Sequence, residues 1–112
     1  MVSNRIFCVH GGLSPLIKQI SAINQVKRPV EPLGCRLVAD VLWSDPKPEI
    51  EGWMDNQERG ISYYYGRNVM DLFLKKHQFD LICRSHQVVE EGYEFCYDKK
   101  LITLFSAPNY CG

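Results

Sequence analysis

The 112-residue sequence has no long apolar segment and no excess of charge of either sign. Its longest wholly apolar runs are only a few residues, which excludes a transmembrane helix, since such a helix needs about 20. Lys and Arg together number 13, as do Asp and Glu, so the composition predicts neither a nucleic-acid-binding surface nor an acidic tail. No internal repeat or low-complexity segment is present. The length and the 46% hydrophobic content fit one modest domain.

The five cysteines form no C-x-x-C pair, and their number is odd. This pattern argues against a disulfide framework and against a zinc site made of thiolates. Cysteines scattered among apolar residues are typical of proteins in a reducing compartment. The N-terminal stretch 1–9 has one Arg and a very short apolar run, unlike a signal peptide. We therefore expect a cytoplasmic or nuclear protein that contacts neither nucleic acid nor membrane.

Apolar patterns predict strands and helices, with polar residues after the strands. The predicted strands are 5–9, 61–66 and 80–84, and a β-hairpin is predicted from 93–97 and 101–105. The predicted helices lie within 14–28, at 35–43 and at 66–77. Segment 44–52 contains Pro46 and Pro48, which predicts a loop. The predicted fold class is α/β.

Two histidines follow predicted strands that are far apart in the sequence. His10 precedes Gly11 and Gly12, and glycines at that point would let the backbone approach a ligand closely. His86 follows strand 80–84, and two imidazoles at neighbouring strand ends can bind one metal ion. The alternative is that each histidine only hydrogen-bonds at the end of its strand, and spacing alone favours this alternative. His77 ends a helix beside two lysines and is expected to be solvated.

Three other places have both an ordinary and a functional interpretation. Asp45 precedes a proline and favours a turn, or else places a carboxylate at a cleft. Arg59 is either simply exposed or binds a phosphate with its guanidinium group. The last segment, 106–112, forms a polar turn or presents Asn109 and Tyr110 as hydrogen-bond donors. The residues alone favour the ordinary interpretation for Asp45 and Arg59.

Five motifs in fixed order are much more specific together than any one of them alone. They are HGGLSP at 10–15, LWSDP at 42–46, RGISYYYG at 59–66, LICRSHQVVEEGYEF at 81–95 and TLFSAPNYCG at 103–112. Together they resemble the C-terminal half of a serine/threonine phosphatase of the phosphoprotein phosphatase family, and the protein phosphatase 1 type matches best. The resemblance spans nearly the whole chain and is weakest at 16–34 and 47–57. It implies a partial calcineurin-like metallophosphoesterase domain over 1–112, a β-sandwich flanked by helices and truncated at both ends.

The resemblance implies metal-dependent hydrolysis of phosphoserine and phosphothreonine in proteins. In this family two divalent metal ions, usually manganese, iron or zinc, activate a water that attacks phosphorus. By motif, His10 and His86 match two ligands of one of these metals. Arg59 matches the arginine that binds the substrate phosphate, Asp45 matches an acidic residue that lines the catalytic cleft, and Tyr110 matches a tyrosine that helps to position phosphate.

The resemblance also implies two binding surfaces beyond the metals. Tyr110 would lie on the loop that natural toxin inhibitors contact, and Cys111 matches the neighbouring cysteine that some of these toxins alkylate. Regulatory subunits of the family dock through a short extended peptide of the Val-x-Phe type. The positions that match this docking groove are Ile6, Leu81, Phe95 and Ile102. Without the resemblance, ordinary core packing is the preferred explanation of those four residues.

The sequence contains none of the family's N-terminal motifs, GDxHG, GDxxDRG and GNHE. In the family these motifs supply the other metal ligands, the general acid and a second phosphate-binding arginine. His10 and His86 alone would therefore bind a metal weakly. We expect a fragment that is inactive by itself but belongs to an active phosphatase. The alternative is a non-catalytic short isoform that occupies regulatory subunits as a decoy.

Overall fold

Seven short strands and three helices make up the chain, and the computed structural model describes all of residues 1–112. The strands are β1 (Ile6–Cys8), β2 (Asp45–Pro46), β3 (Trp53–Asp55), β4 (Tyr63–Tyr65), β5 (Leu81–Arg84), β6 (Tyr93–Cys96) and β7 (Leu101–Leu104). The helices are α1 (Ser21–Asn24), α2 (Arg36–Trp43) and α3 (Arg67–His77), with a short 3-10 turn at Pro32–Gly34. None of these helices has the length and apolar character needed to cross a membrane.

The strands form two separate sheets. The larger sheet has the order β1-β5-β7-β6, in which β1, β5 and β7 run parallel and β6 is antiparallel to β7. The smaller sheet has the order β2-β4-β3, with β2 parallel and β3 antiparallel to β4. Because β1 and β5 are parallel neighbours, the segments that follow them leave the same edge of the sheet. This edge is where the two histidines of the sequence motifs lie.

Most of the predicted elements are confirmed, and each is one to three residues shorter than expected. The helices predicted at 35–43 and 66–77 are α2 and α3, and the predicted hairpin is formed by β6 and β7. The predicted strands 5–9, 61–66 and 80–84 contain β1, β4 and β5. The α3 helix ends with Gln78 in the left-handed region, at φ 58°, and three basic residues occupy its last turn.

The helix predicted within 14–28 is wrong over most of that range, because only the four residues of α1 are helical. The hydroxyl of Ser14 donates to the buried Asp40 carboxylate at 2.6 Å and accepts from the Leu16 N–H at 3.1 Å. These bonds hold the start of the segment in an irregular loop. Leu13 and Ile17 are nevertheless buried. The apolar spacing therefore reflects burial of an irregular segment and not a helical face.

The loop predicted at 44–52 is wrong at its start, since Asp45 and Pro46 form β2. This strand lies at the edge of the smaller sheet, where proline is tolerated because one side of the backbone has no partner strand. The strand β3 was not predicted at all. Its three residues are too few for an alternating pattern to show, and they pair with β4 at positions Trp53↔Tyr65 to Asp55↔Tyr63.

The core packs α3 and a phenylalanine cluster against one face of the larger sheet. The rings of Phe7 and Phe73 lie 5.1 Å apart, and those of Phe7 and Phe79 lie 5.6 Å apart. His77 is half-buried against Phe73, with ring centroids 4.6 Å apart, so it is less solvated than the sequence predicts. The buried core comprises Phe7, Leu13, Ile17, Tyr65, Met70, Phe73, Leu74, Phe79, Ile82, Tyr97 and Leu101.

Candidate functional site

The pairing of β1 with β5 brings His10 and His86 into contact. Cys8 is in register with Cys83, and the ladder continues past both strands, where the Ser85 N–H donates to the His10 carbonyl at 2.9 Å. The two imidazole ring centroids are 4.9 Å apart, with their planes at 62°. Parallel strand pairing thus places two side chains from distant parts of the sequence at one point, as the sequence motifs predict.

His86 lies in surroundings that suit a metal ligand. Its Nε2 atom is buried and has no hydrogen-bond partner in the chain, and the Trp43 ring packs edge-on at 5.3 Å between centroids. Burial, followed by the positive charge of Arg59, lowers the pKa of His86 to about 4. The imidazole is therefore neutral at pH 7, which is the form that binds metal ions. A buried ring nitrogen without a protein partner is unusual and fits a site for an added ligand.

The side chains of this chain do not form a complete metal site. No group of three or more His, Cys, Asp or Glu side chains could hold a metal ion. The two imidazoles would supply two of the four ligands of a tetrahedral metal ion. The chain offers no second cluster of ligating side chains for another ion. The residues present therefore fit at most two ligands of one metal ion.

Gly11 and Gly12 lie where the chain packs closely against itself. A Cβ on Gly11 would lie 2.7 Å from the Leu42 carbonyl carbon and oxygen, and a Cβ on Gly12 would lie 2.3 Å from the Tyr65 hydroxyl. The Gly11 N–H also donates to the Val41 carbonyl at 2.8 Å. The glycines thus let the loop that carries His10 pack against the end of α2 and against the Tyr65 ring. This packing leaves no room for a Cβ at either position.

Arg59 is held beside His86 by a buried carboxylate. Its Nε donates to Asp45 Oδ2 at 3.0 Å, and its Nη2 donates to Asp45 Oδ1 at 3.4 Å and to the His86 carbonyl at 3.0 Å. The Nη1 group donates no hydrogen bond within the chain, and the side chain is 28% exposed. The guanidinium group is therefore oriented by the protein and still has donors for an anion.

Asp45 does not line an open cleft, because the residue is only 2% exposed. Its oxygens accept hydrogen bonds from Asn56, Arg59 and Arg84. Burial raises the pKa of Asp45, but the hydrogen bonds from Arg59 and Asn56 and the positive charges of Arg84 and Arg59 outweigh burial and lower it below the ordinary value. The carboxylate is ionised at neutral pH and is occupied in holding two guanidinium groups.

Arg84 is not among the predicted site residues, yet its side chain is 0% exposed. Its guanidinium group donates to the Gly11 carbonyl at 2.8 Å, to Gln87 Oε1 at 2.6 Å and to Asp45 Oδ1 at 2.7 Å. One signal could have found it, since Arg84 lies two residues after Ile82 on the buried face of β5. A charged residue on the same face of a strand as a core residue indicates a buried polar network.

Tyr110 and Cys111 are not brought to the histidines. The Tyr110 ring packs edge-on against Phe105, with centroids 5.0 Å apart, and no hydrogen bond or ring contact links it to His10, His86 or Arg59. Both residues are exposed, and the Cys111 thiol is free. In this chain, therefore, the last segment is an exposed turn without a direct contact with the histidine pair.

The four predicted groove residues share one face of the larger sheet. Ile6 is in register with Leu81, and Phe95 is in register with Ile102, so each pair points to the same side. That side is opposite to the one that carries the core residues of β1 and β5. None of the four belongs to the buried core, and Phe95 is 42% exposed. Ordinary core packing therefore does not explain them within this chain.

Two comparisons with known proteins bear on this arrangement. Residues 1–90 match the family of calcineurin-like phosphoesterases. A solved protein serine/threonine phosphatase from Saccharomyces cerevisiae, described as similar to human phosphatase PP5, superposes on the chain with a TM-score of 0.85 at 34% sequence identity. The match covers 97% of this chain and 34% of the yeast structure, so the chain spans about a third of that structure's length.

Proposed function

The chain belongs to the calcineurin-like phosphoesterase family, and on this basis we propose that it is part of an enzyme that hydrolyses phosphoserine and phosphothreonine in proteins. Phosphoester hydrolysis in general follows from the family and from the yeast phosphatase that the chain resembles. The predicted α/β fold of a metallophosphatase is confirmed by the same match. Specificity for serine and threonine residues, and assignment to the protein phosphatase 1 type, are the finer parts of the proposal.

The single observation that carries the proposal is the contact between the imidazoles of His10 and His86 beside an oriented guanidinium group. We propose that His10 and His86 bind one divalent metal ion, either manganese, iron or zinc, and that the remaining ligands and a second ion lie outside this chain. Bound metal ions of this family activate a water and stabilise charge on the phosphoryl oxygens.

Arg59 is proposed to bind the substrate phosphate through its unused Nη1 donors. Asp45 holds the other side of the guanidinium group, so little conformational freedom is lost when the phosphate binds. Trp43 covers one edge of His86 and limits the access of water to the ring. These residues bind, orient and exclude water, while the proton donor for the leaving group is not among them.

The isolated chain is proposed to be inactive, because it supplies at most two ligands for one metal ion. The test has two parts. Purified 112-residue protein with Mn²⁺ should not hydrolyse a phosphoserine peptide. The polypeptide that carries segment 81–95, captured from its source cells, should hydrolyse phosphoserine and phosphothreonine peptides but not a matched phosphotyrosine peptide. A captured polypeptide without metal-dependent hydrolysis, or one that prefers phosphotyrosine, would contradict the proposal.

A second candidate function is a non-catalytic decoy that binds the regulatory subunits of phosphatases. The apolar strip of Ile6, Leu81, Phe95 and Ile102 supports it, because Phe95 is exposed, the other three are partly exposed, and an extended peptide of the Val-x-Phe type needs an accessible apolar sheet surface. We propose that labelled Val-x-Phe peptides bind the chain and that Phe95→Ala weakens their binding, measured by fluorescence anisotropy. A decoy additionally requires a 13.0 kDa species in cells, and an intact mass far above that value would exclude it.

A further inference from the structure

We propose that Arg84 is a positioning residue that fixes His10, His86 and Arg59 relative to one another. The inference rests on the proposed function, since it concerns the geometry of the proposed metal and phosphate ligands. Arg84 makes no contact with a reacting group in this arrangement, so its contribution would act entirely through the residues that it holds.

The guanidinium group of Arg84 contacts both segments that carry the imidazoles. Its Nε donates to the carbonyl of Gly11, the residue after His10, at 2.8 Å. Its Nη1 donates to the side chain of Gln87, the residue after His86, at 2.6 Å. One rigid planar group thus joins the two loops at the edge of the sheet where the imidazoles meet.

The remaining nitrogen, Nη2, connects Arg84 through Asp45 to Arg59, the residue proposed to bind phosphate. Its Nη2 donates to Asp45 Oδ1 at 2.7 Å, and Asp45 in turn accepts from Arg59 at 3.0 Å. Two longer contacts, to the Ser44 carbonyl at 3.5 Å and to the Thr103 hydroxyl at 3.4 Å, complete the surroundings of the group. The three short bonds of Arg84 therefore all end beside the site. Two of their acceptors are on the residues that follow His10 and His86, and the third acceptor is the carboxylate that holds Arg59.

Stability alone does not explain a fully buried arginine at this position. Removing a guanidinium group from water is unfavourable, and apolar residues in place of a buried ion pair are often no less stable. Arg84 occupies the inward face of β5 next to the apolar Ile82. Groups that orient metal ligands commonly change metal affinity by about 10- to 100-fold. A planar group with five donors suits this task, whereas lysine cannot reach the same acceptors.

The test compares Arg84→Met and Arg84→Lys with the wild-type chain, and uses Arg67→Met as the control. Arg67 pairs only with exposed aspartates and lies outside the network. Two properties are measured: the nuclear Overhauser effect between the His10 and His86 ring protons, and the affinity for Co²⁺. For Arg84→Met we expect loss of the inter-ring effect and about 10- to 100-fold weaker Co²⁺ binding. For Arg84→Lys we expect a smaller loss, and for Arg67→Met none.

Each outcome decides the proposal. If Arg84→Met keeps the inter-ring effect and the wild-type Co²⁺ affinity while its melting temperature falls, Arg84 only stabilises the fold and the proposal is wrong. If the wild-type chain shows the inter-ring effect but does not bind Co²⁺, the proposed function is contradicted. The role of Arg84 is then still tested by whether Arg84→Met loses the inter-ring effect. A wild-type chain without the effect overturns both. If Arg84→Met does not fold, Gln87→Ala, which removes only the bond beside His86, must weaken Co²⁺ binding several-fold at an unchanged melting temperature.

Discussion

Replacement of Asp45 by alanine is expected to be among the most destabilising single changes in this chain. Asp45 is the only acidic partner of Arg84, and neither side chain is appreciably exposed to solvent. The substitution leaves a buried guanidinium group without a counter-ion and also removes the acceptor of Asn56 and Arg59. Breaking a buried ion pair by removing one partner costs about 3–5 kcal/mol. Domains of this size are stable by about 5–15 kcal/mol, so Asp45→Ala should remove a large part of the stability.

Urea unfolding followed by the fluorescence of Trp43 and Trp53 measures the expected loss. Asp80→Ala is the matched control, because its ion pair with Arg5 is exposed and should contribute less than about 1 kcal/mol. The double variant Asp45→Ala/Arg84→Met should lose less than the sum of the two single variants, since neither charge is then left unpaired. A loss for Asp45→Ala below about 1 kcal/mol, equal to that of the control, would refute the buried network.

The same network predicts a pH dependence of defined sign. The pKa of folded Asp45 lies below 3.8, its ordinary value in the unfolded chain, so the folded state favours the ionised form. The resulting stabilisation is present above pH 3.8 and is lost as the pH falls through the lower, folded pKa. The difference in unfolding free energy between the wild type and Asp45→Asn should therefore be constant at neutral pH and shrink below pH 3.8. A difference that grows in acid would contradict this sign.

Two further predictions concern packing and thiol reactivity. Gly12→Ala places a Cβ 2.3 Å from the Tyr65 hydroxyl and should lower the free energy of unfolding, measured in urea, by about 1–3 kcal/mol. The control Gly34→Ala, whose Cβ would have its nearest neighbour at 3.7 Å, should change stability little. Equal losses for the two variants would contradict the packing role of Gly12. Iodoacetamide should label the exposed Cys8 and Cys111 well before Cys96, because burial raises the pKa of Cys96 to about 11. Mass spectrometry of the labelled peptides measures the order, and faster labelling of Cys96 would show that β6 is not folded as described.

The fold could be predicted where an element is long enough for its apolar period to show. The α3 helix and the β6–β7 hairpin satisfy this condition, and both were predicted. Segment 14–28 has the spacing of a helix but forms only one helical turn, because the bond between Ser14 and Asp40 is a tertiary contact that no local pattern contains. The strands β2 and β3 have two and three residues, which is too short for alternation to be detected.

The candidate site could be predicted only in part. Motif resemblance identified His10, His86 and Arg59, and parallel pairing of β1 with β5 explains why distant histidines meet. The buried position of Asp45 could not be predicted, because an Asp-Pro pair ordinarily indicates an exposed turn. Arg84 was missed for a similar reason, since an arginine at the end of a strand is usually solvated. The acceptors that keep both charges buried come from segments far apart in the sequence, and only the folded chain brings them together.

The most direct test of the central claim is a Zn²⁺ titration of the chain followed by the ¹⁵N chemical shifts of its three histidine rings. If His10 and His86 bind one ion together, their ring nitrogens should shift in parallel with a single half-saturation concentration, and His77 should not change over the same range. Substitution of either ligand by alanine should abolish the shift of the other. Separate half-saturation concentrations for His10 and His86, or a response of His77 equal to theirs, would contradict a shared metal site.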